Sequence, residues 1–330
     1  MQILHQDVKK DWQPKSGLLS YQSTADFEEQ AALLQGWNQD YAQLSSGSFT
    51  GYVSEMRFDD VHLFLEFSSQ HLFQNGKLPD DIIAVGVPLE FTSNGLFCGT
   101  ACDTESMHIF SGEHGFEFFS PTDLLMGGIS VKRETLFDAL TDEEQSIASQ
   151  HCSYAHLLHM ESDKTKALRN FMGGAFEMVR HNPALLENNS TRESLNKSVI
   201  SLLTDALVDH SSLAYRPISN AKCWNIIGET RALVHQYSEN PISVAEVCQQ
   251  LGISRRTLQY CFQNLLNTSP VAYLRAERLN NVRRMLRSAN SVTEAAAHWG
   301  FWHFGHFSQE YKKMFGELPS ATFKRLHTLN

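Results

Sequence analysis

Between Ser254 and Gln263 the chain places Ser254, Arg255, Arg256, Thr257, Gln259 and Gln263 close together. Arginine can grip guanine through two hydrogen bonds, and glutamine can do the same with adenine. A second polar cluster, His303, His306 and Gln309 followed by Lys312 and Lys313, lies further along. The chemistry these side chains can do is recognition of base edges and phosphates rather than bond-making. Such work requires rigid elements that hold each cluster on one face.

Those elements are written into the chain twice. The first copy, SVAEVCQQLGISRRTLQYCFQNLLNTSP, begins at Ser243, and the second, SVTEAAAHWGFWHFGHFSQEYKKMFGELP, begins at Ser291. Ser243, Glu246 and Gly252 match Ser291, Glu294 and Gly300 at an offset of 48. Leu258, Phe262, Leu266 and Pro270 match Phe307, Tyr311, Phe315 and Pro319 at 49, so the second copy gains one residue after its glycine. Each copy opens with Ser-x-x-Glu, a capping box that predicts a helix start. Short helices over Val244 to Leu251 and Val292 to Trp299 follow, each stopped by a glycine suited to positive φ. A longer helix comes next. Leu258, Phe262 and Leu265 in one copy, and Phe307, Tyr311 and Phe315 in the other, recur at helical spacing and predict its buried side. Short helix, glycine turn and longer helix make a helix-turn-helix plan. A solvated polar face is the plain alternative for a single copy. Two copies with an outward face almost free of acidic residues argue against it; Glu310 is the exception and should point sideways.

Between the copies, Val271 to Ser288 reads as one helix with an apolar side (Leu274, Val282, Met285, Leu286) and a basic side (Arg275, Arg278, Arg283, Arg284, Arg287). At about 1.5 Å per residue it would span roughly 25 Å. That separates two reading helices toward the roughly 34 Å repeat of successive major grooves.

From about Trp224 to Arg325 the chain resembles the DNA-binding domain of AraC/XylS-type bacterial transcription regulators, through the duplicated unit and the run GFWHFGHFSQEYKKMFGELP. The runs ISRRTLQ, RLNNVRR and WGFWHFG are similar to the ethanolamine-utilisation operon activators within that family. The resemblance implies an α+β chain with an N-terminal cupin-like β-barrel, dimerisation helices and a C-terminal all-α domain of two helix-turn-helix motifs joined by a linker helix. The expected divisions are residues 1–140 (effector-sensing β domain with its arm), 141–212 (dimerisation), 213–221 (linker) and 222–330 (DNA binding). On this reading Arg255, Arg256, Gln259, His303, His306 and Gln309 read bases. Ser254, Thr257, Arg275, Arg278, Lys312 and Lys313 hold phosphates. The implied partners are double-stranded promoter DNA, RNA polymerase, a small-molecule effector and a second copy of the chain, with activation as the family's habit. No cofactor is required, although the ethanolamine branch implies a small amine with adenosylcobalamin as co-effector. Trp302 stands where a small capping residue is usual, and Gly305 occupies a typical base-facing position. The second copy therefore packs its helix start differently and reads fewer bases.

Charge is distributed to match. The net charge of −10 would suit a nucleic-acid binder poorly if spread evenly. From Asn220 onward, however, 13 Lys and Arg face 7 Asp and Glu, a surplus of 6 positive; the remaining 14 and 30 leave the rest at −16. An acidic part joined to a basic one suits two domains with different partners. No apolar run approaches the ~18 residues of a membrane span. The start MQILHQDVKKDW lacks a signal-peptide core, so a cytoplasmic protein with no membrane partner is expected. The six cysteines are expected as buried free thiols in a reducing compartment, and Cys98 with Cys102 lacks the second pair a zinc site needs.

The acidic part begins with a polar arm over 1–25, followed by helical spacing from Asp26 to Leu44 with Phe27, Leu34, Trp37 and Tyr41 on one side. Short β-type runs follow: Thr50–Phe58, Val61–Ser68, Ile82–Pro88, Leu96–Ala101, Met107–Phe110 and Phe116–Ser120. With turn signals between them they predict a sandwich or small barrel. Phe64, Phe91, Phe97, Phe116 and Phe118 are the candidate effector contacts, with Glu66, Glu90 or Glu117 as the charged one. Rings and a carboxylate together suit an amine. From Glu134 the spacing turns helical. Leu195, Val199, Leu202, Leu203 and Leu207 form a stripe that is either core or, as the resemblance favours, a two-fold dimer contact. Ser211 to Asn220 reads as the linker. Two other classes stay open: a regulator with no small ligand, controlled by a protein partner or oligomer state, and a metal-dependent cupin enzyme. For the enzyme, His62, His71, His108, His114, His151, His156 and His159 show no metal-ligand spacing, no nucleophile elbow or phosphate loop appears, and neither a metal nor a catalytic residue is assigned.

Overall fold

A computed structural model describes residues 18–111, 114–208, 220–237 and 241–328. The chain forms two compact units. The first comprises Met1–Asp40, Thr50–Ser69 and Gln74–Arg216, the second Tyr41–Phe49, Gln70–Phe73 and Pro217–Asn330. The expected linker falls almost wholly outside the described residues, as do residues 1–17 of the expected arm.

In chain order the elements up to residue 208 are β1 (Leu19–Thr24), α1 (Phe27–Ala31), β2 (Asn38–Gln43), β3 (Gly51–Phe58), β4 (Val61–Ser68), β5 (Leu72–Lys77), β6 (Ile82–Glu90), β7 (Leu96–Phe97), β8 (Thr100–Ala101), β9 (Ser106–Ile109), β10 (Phe116–Ser120), β11 (Leu124–Lys132), α2 (Arg133–Phe137), α3 (Asp142–His151), β12 (His156–His159), α4 (Ser162–His181) and α5 (Asn189–Leu207). One sheet has seven strands in the order β1-β3-β4-β11-β6-β9-β12; the other has five, β2-β5-β10-β7-β8. The architecture is mixed α+β. The expected barrel is not closed, because the strands divide into two sheets, each with two edges.

Strands β3 and β4 pair antiparallel from Phe58↔Val61 outward. Asp59 turns the hairpin at φ 49°, a conformation Asp tolerates better than bulkier residues. Along β4, Val61, Leu63 and Leu65 enter a large core shared with Ile129, Val131, Leu168, Met172 and Val179. Phe64 faces the opposite side and joins Leu34 and Val53, as period-two alternation requires. Strand β11 lies between β4 and β6, with Gly128 opposite Phe64 and Gly86. A Cβ on Gly128 would come 2.0 Å from the Phe64 ring, so only glycine fits at this crossing.

Several expectations are corrected here. The end of the supposed arm is β1, paired with β3. The helical spacing from Asp26 to Leu44 yields only the single turn of α1, capped by Asp26. That helix ends at Ala31 with Ala32 as its cap, the chain turns through Gly36 at φ 86°, and β2 takes Tyr41 as a buried strand residue. The stripe on α5 is core: Leu195, Val199, Leu203 and Leu207 are buried in the same cluster as Leu63, and Leu202 packs against it. These side chains are occupied within their own chain, so a pairing of two copies needs another face.

The second unit holds α6 (Ala221–Gln236), α7 (Val244–Leu251), α8 (Arg255–Leu266), α9 (Pro270–Met285), α10 (Val292–His298), α11 (Phe304–Phe315) and α12 (Pro319–Thr328). Ser243 and Glu246 form the full capping box at α7: Glu246 N donates to the Ser243 hydroxyl at 3.3 Å, and Ser243 N donates to the carboxylate at 2.8 Å. Gly252 ends α7 at φ 63°. At α10 the box is incomplete. Ser291 caps Glu294 N at 3.1 Å, but the Glu294 carboxylate accepts from Asn290 N instead. Gly300 closes this turn at φ 78°, where a Cβ would press on Pro241 at 2.9 Å. Leu258 and Phe262 on α8, and Phe307, Tyr311 and Phe315 on α11, are buried as their spacing predicts; Leu265 is only half-buried.

The segment Tyr41–Phe49 is built into this unit. Asn280 of α9 accepts from Gln43 N at 2.9 Å and donates to Gln43 O at 2.7 Å. The Gln43 side chain donates to Met314 O at 2.7 Å, and Gly47 N donates to the same carbonyl at 3.0 Å. The expectation of free thiols is corrected at one pair: Cys223 of α6 and Cys261 of α8 are joined as a disulfide. Cys98, Cys102, Cys152 and Cys248 are free. Burial pushes the Cys98 thiol up to about 12 and raises Cys102 as well, so neither is a ready thiolate.

Candidate nucleic-acid interface

Helix α8 presents the first polar cluster. Ser254 caps it, its hydroxyl accepting from Thr257 N at 3.1 Å. The Ser254 and Thr257 hydroxyls lie 2.9 Å apart, and Thr257 is half-buried. Leu258, Cys261, Phe262 and Leu266 are buried on the inner side, which turns Arg255, Arg256 and Gln259 outward into solvent. Gln263, also exposed, donates to Asn267 Oδ1 at 2.8 Å. The face thus offers two guanidinium forks and one carboxamide on a rigid, capped helix, the donor and acceptor set that matches major-groove edges.

Helix α11 presents the second cluster. His303, His306 and Gln309 are exposed, and Lys312 and Lys313 extend into solvent from the last turn. Glu310 does point sideways. Its carboxylate lies 3.0 Å from Arg275 and 3.5 Å from His306, reducing the charge Arg275 could offer a phosphate.

The basic side of α9 is largely used internally, which corrects the expected cationic rod. Arg278 is half-buried and donates to Ile242 O at 2.5 Å, so one arm of its fork is held within the fold. Arg283 is buried, bonded to Glu317 at 2.9 Å and near the Tyr311 hydroxyl at 3.3 Å. Arg284 donates to Tyr41 O at 2.9 Å. Sequence periodicity separates a helix's faces, but it does not reveal which arginines have carbonyls waiting for them. The exposed aromatics Trp302, Phe304 and Tyr260 also belong to this surface; for Trp302 the departure from a small capping residue was the sequence signal.

The first unit contains a cavity lined by Leu34, Trp37, Phe64, Glu66, Gln74 and Phe116, with Gln39, Ser68, Phe110, Phe118, Leu124 and Met126 completing the wall. Trp37 meets Phe64, Phe110 and Phe116 edge-on at centroid separations of 5.4, 5.2 and 6.0 Å. Glu66 is buried and accepts from Gln30 Nε2 at 3.1 Å. Trp37 and Gln39 are partly exposed and mark the mouth. The space traced by the centre of a water-sized sphere is about 10 Å³, room for about one such group. Of the expected effector contacts, Phe64, Glu66, Phe116 and Phe118 line it. Phe97 lies behind the wall in the ring cluster, and Phe91 packs at the edge of that cluster. A corrinoid does not fit this cavity. Among the described residues no three His, Cys, Asp or Glu side chains gather as a metal site, and no helix is long and apolar enough to cross a membrane.

Residues 247–325 match a family model described as a helix-turn-helix domain. The chain is 42 % identical over 92 residues to a probable thc operon regulatory protein of Rhodococcus erythropolis, covering 27 % of this chain and 28 % of that one. It is 38 % identical over 88 residues to the XylDLEGF operon transcriptional activator 1 of Pseudomonas putida, covering 26 % and 27 %. Among solved structures it is similar to a Chromobacterium violaceum transcriptional regulator described as AraC-type DNA-binding domain-containing, at 28 % identity and a TM-score of 0.31, covering 34 % of this chain and all of that one. The matched segment spans just over a quarter of the length of these curated relatives.

Proposed function

We propose, from the premise that residues 247–325 are a helix-turn-helix domain similar to those of AraC/XylS-type regulators, that this protein is a sequence-specific DNA-binding transcription regulator and not an enzyme. The observation that carries the reading is the exposed trio Arg255, Arg256 and Gln259 on capped helix α8. The plan recurs at α10 and α11, so two heads reading one duplex belong to the same proposal. So do activation through RNA polymerase, action as a homodimer and a cytoplasmic location, where promoter DNA is found. The test is binding of the full chain to promoter fragments from its own neighbouring genes. Affinity should fall steeply with salt, because neutralising phosphates releases counterions. Binding that ignores both sequence and salt would remove the reading.

The cavity supports a finer reading, a small-amine effector such as ethanolamine controlling a catabolic operon. Rings and a buried carboxylate together favour a cation; the space holds about one water-sized group, so admitting the whole of ethanolamine requires the walls to part. A thermal shift with ethanolamine and not with neutral analogues of its size would support it. A flat response across an amine panel, with DNA binding intact, would favour control by a protein partner or by assembly instead.

A further inference from the structure

The two heads are built alike but carry different outward chemistry. In the register that matches Leu258 with Phe307, Arg255 falls on Phe304, Arg256 on Gly305 and Gln259 on Ser308. Both guanidinium forks of the first head are therefore absent from the second. In their place the start of α11 exposes Trp302 to 71 % and Phe304 to 40 %. Inward-facing Phe301 and Phe307 pack on each other at 5.1 Å, which leaves Trp302 and Phe304 outside that core. A Cβ on Gly305 would meet nothing within 4 Å, so the backbone there is open to close approach. His303 caps α11 without a side-chain hydrogen bond, and Glu310 engages His306. Lys312 and Lys313 supply positive charge on the same helix.

We infer that the second head recognises thymine through its C5-methyl groups, with Trp302 and Phe304 as specificity-determining residues in the major groove. The inference rests on the DNA-binding reading proposed above. Apolar side chains distinguish thymine by its methyl, and the exposed rings, the bare Gly305 and the flanking lysines together suit an apolar contact made close to a phosphate backbone. The first head reads by hydrogen bonds and the second by methyl contact, so the two halves of one site differ in base composition.

The experiment selects preferred sites for the full chain from a random duplex pool. Arg256→Ala identifies the half-site of the first head by the base preference it relaxes; the other half belongs to α11. Each thymine in that second half is then replaced by deoxyuridine, which removes only the methyl. The wild-type protein should lose roughly fourfold in affinity for each methyl removed, the worth of one buried methylene-sized group. Trp302→Ala and Phe304→Ala should bind the thymine site as weakly as the wild type binds the uracil site, and should show no further loss with uracil. Arg256→Ala should keep its uracil sensitivity. Equal melting temperatures for the two aromatic variants and the wild type would show that the fold is intact, as expected for exposed side chains. A second half with no thymine preference, or uracil sensitivity unchanged in both aromatic variants, overturns the inference while leaving DNA binding standing. Failure to enrich any sequence overturns the DNA-binding reading itself.

Discussion

Asn280 and the main chain of Gln43 exchange two hydrogen bonds, as two adjacent strands would, although one partner is a helix side chain. Asn280 is fully buried, and its amide also donates to Ala276 O at 2.8 Å. Replacing it by leucine leaves the Gln43 N–H and C=O without these partners, at about 1–3 kcal/mol for each buried group left unsatisfied. Asn280→Leu should therefore lower stability by about 2–6 kcal/mol in a denaturant titration. Asn280→Asp keeps the acceptor for Gln43 N but sets a second, acceptor-only oxygen against the Gln43 and Ala276 carbonyls, so at neutral pH it should cost at least as much as the leucine. Equal stability of Asn280→Leu and the wild type would show that the pairing is dispensable.

Two arginines that look alike in sequence should behave differently on DNA. Arg256→Ala should cost about 1–3 kcal/mol at one base position and relax preference there. Arg278→Ala should leave base preference unchanged and instead lower thermal stability, because the side chain is bound to Ile242 O. Lys312→Ala, which removes one exposed positive charge from α11, should weaken all sequences alike and flatten the salt dependence by about one counterion. Affinity measured against salt and against base changes separates the three.

Glu66→Gln tests the cavity with little change of shape. A carboxamide can still accept from Gln30 Nε2, so melting temperature should hold while any amine-induced shift disappears. Gly128→Ala drives a methyl into the Phe64 ring and should cost about 1–3 kcal/mol by overpacking. It should also abolish the amine response, because Phe64 is a cavity wall.

His108 lies on β9, fully buried, with its ring 4.7 Å from Phe97 and 5.3 Å from Phe118. Burial lowers its pKa to about 3, against a weaker upward pull from Asp103. An unfolded histidine titrates near 6.5. The folded state therefore binds fewer protons between those values. The stability this histidine supplies is complete above about 6.5 and drains as pH falls toward about 3. Stability should fall by up to about 1.4 kcal/mol per pH unit from this group alone. His108→Phe should flatten that part of a stability-against-pH curve, and a slope unchanged by the substitution would refute the assignment.

The helical half was the more legible part because its signals are local. Ser243, Gly252, Ser291 and Gly300 mark starts and stops that the structure places within a residue or two. Strand β4 was legible too, through the alternation of Leu63 and Leu65 with Phe64 and Glu66. Strand β11 was not, because Gly127 and Gly128 interrupt its β-type run, and only the structure shows Phe64 filling the place of the side chain Gly128 lacks. Strand β2 was hidden because Phe27, Leu34 and Tyr41 mimic a helical face while serving α1, the turn after it and β2. The pairing of Asn280 with Gln43 joins residues distant in the chain, and no periodicity reports it. Cys223 and Cys261 escaped notice for the same reason, since neither sits in a metal-type spacing.

The Cys223–Cys261 crosslink has a practical corollary for anyone excising the basic region as an autonomous fragment. It ties α6 to α8, and Cys223, Ile226, Ile227, Thr230 and Val234 of α6 are all buried. A clone beginning at residue 247, where the family match starts, would strip that backing from the first reading helix and leave Cys261 without its mate. The smallest sensible expression boundary therefore lies upstream of Ala221, and even that piece would go without the Gln43 backbone that Asn280 grips.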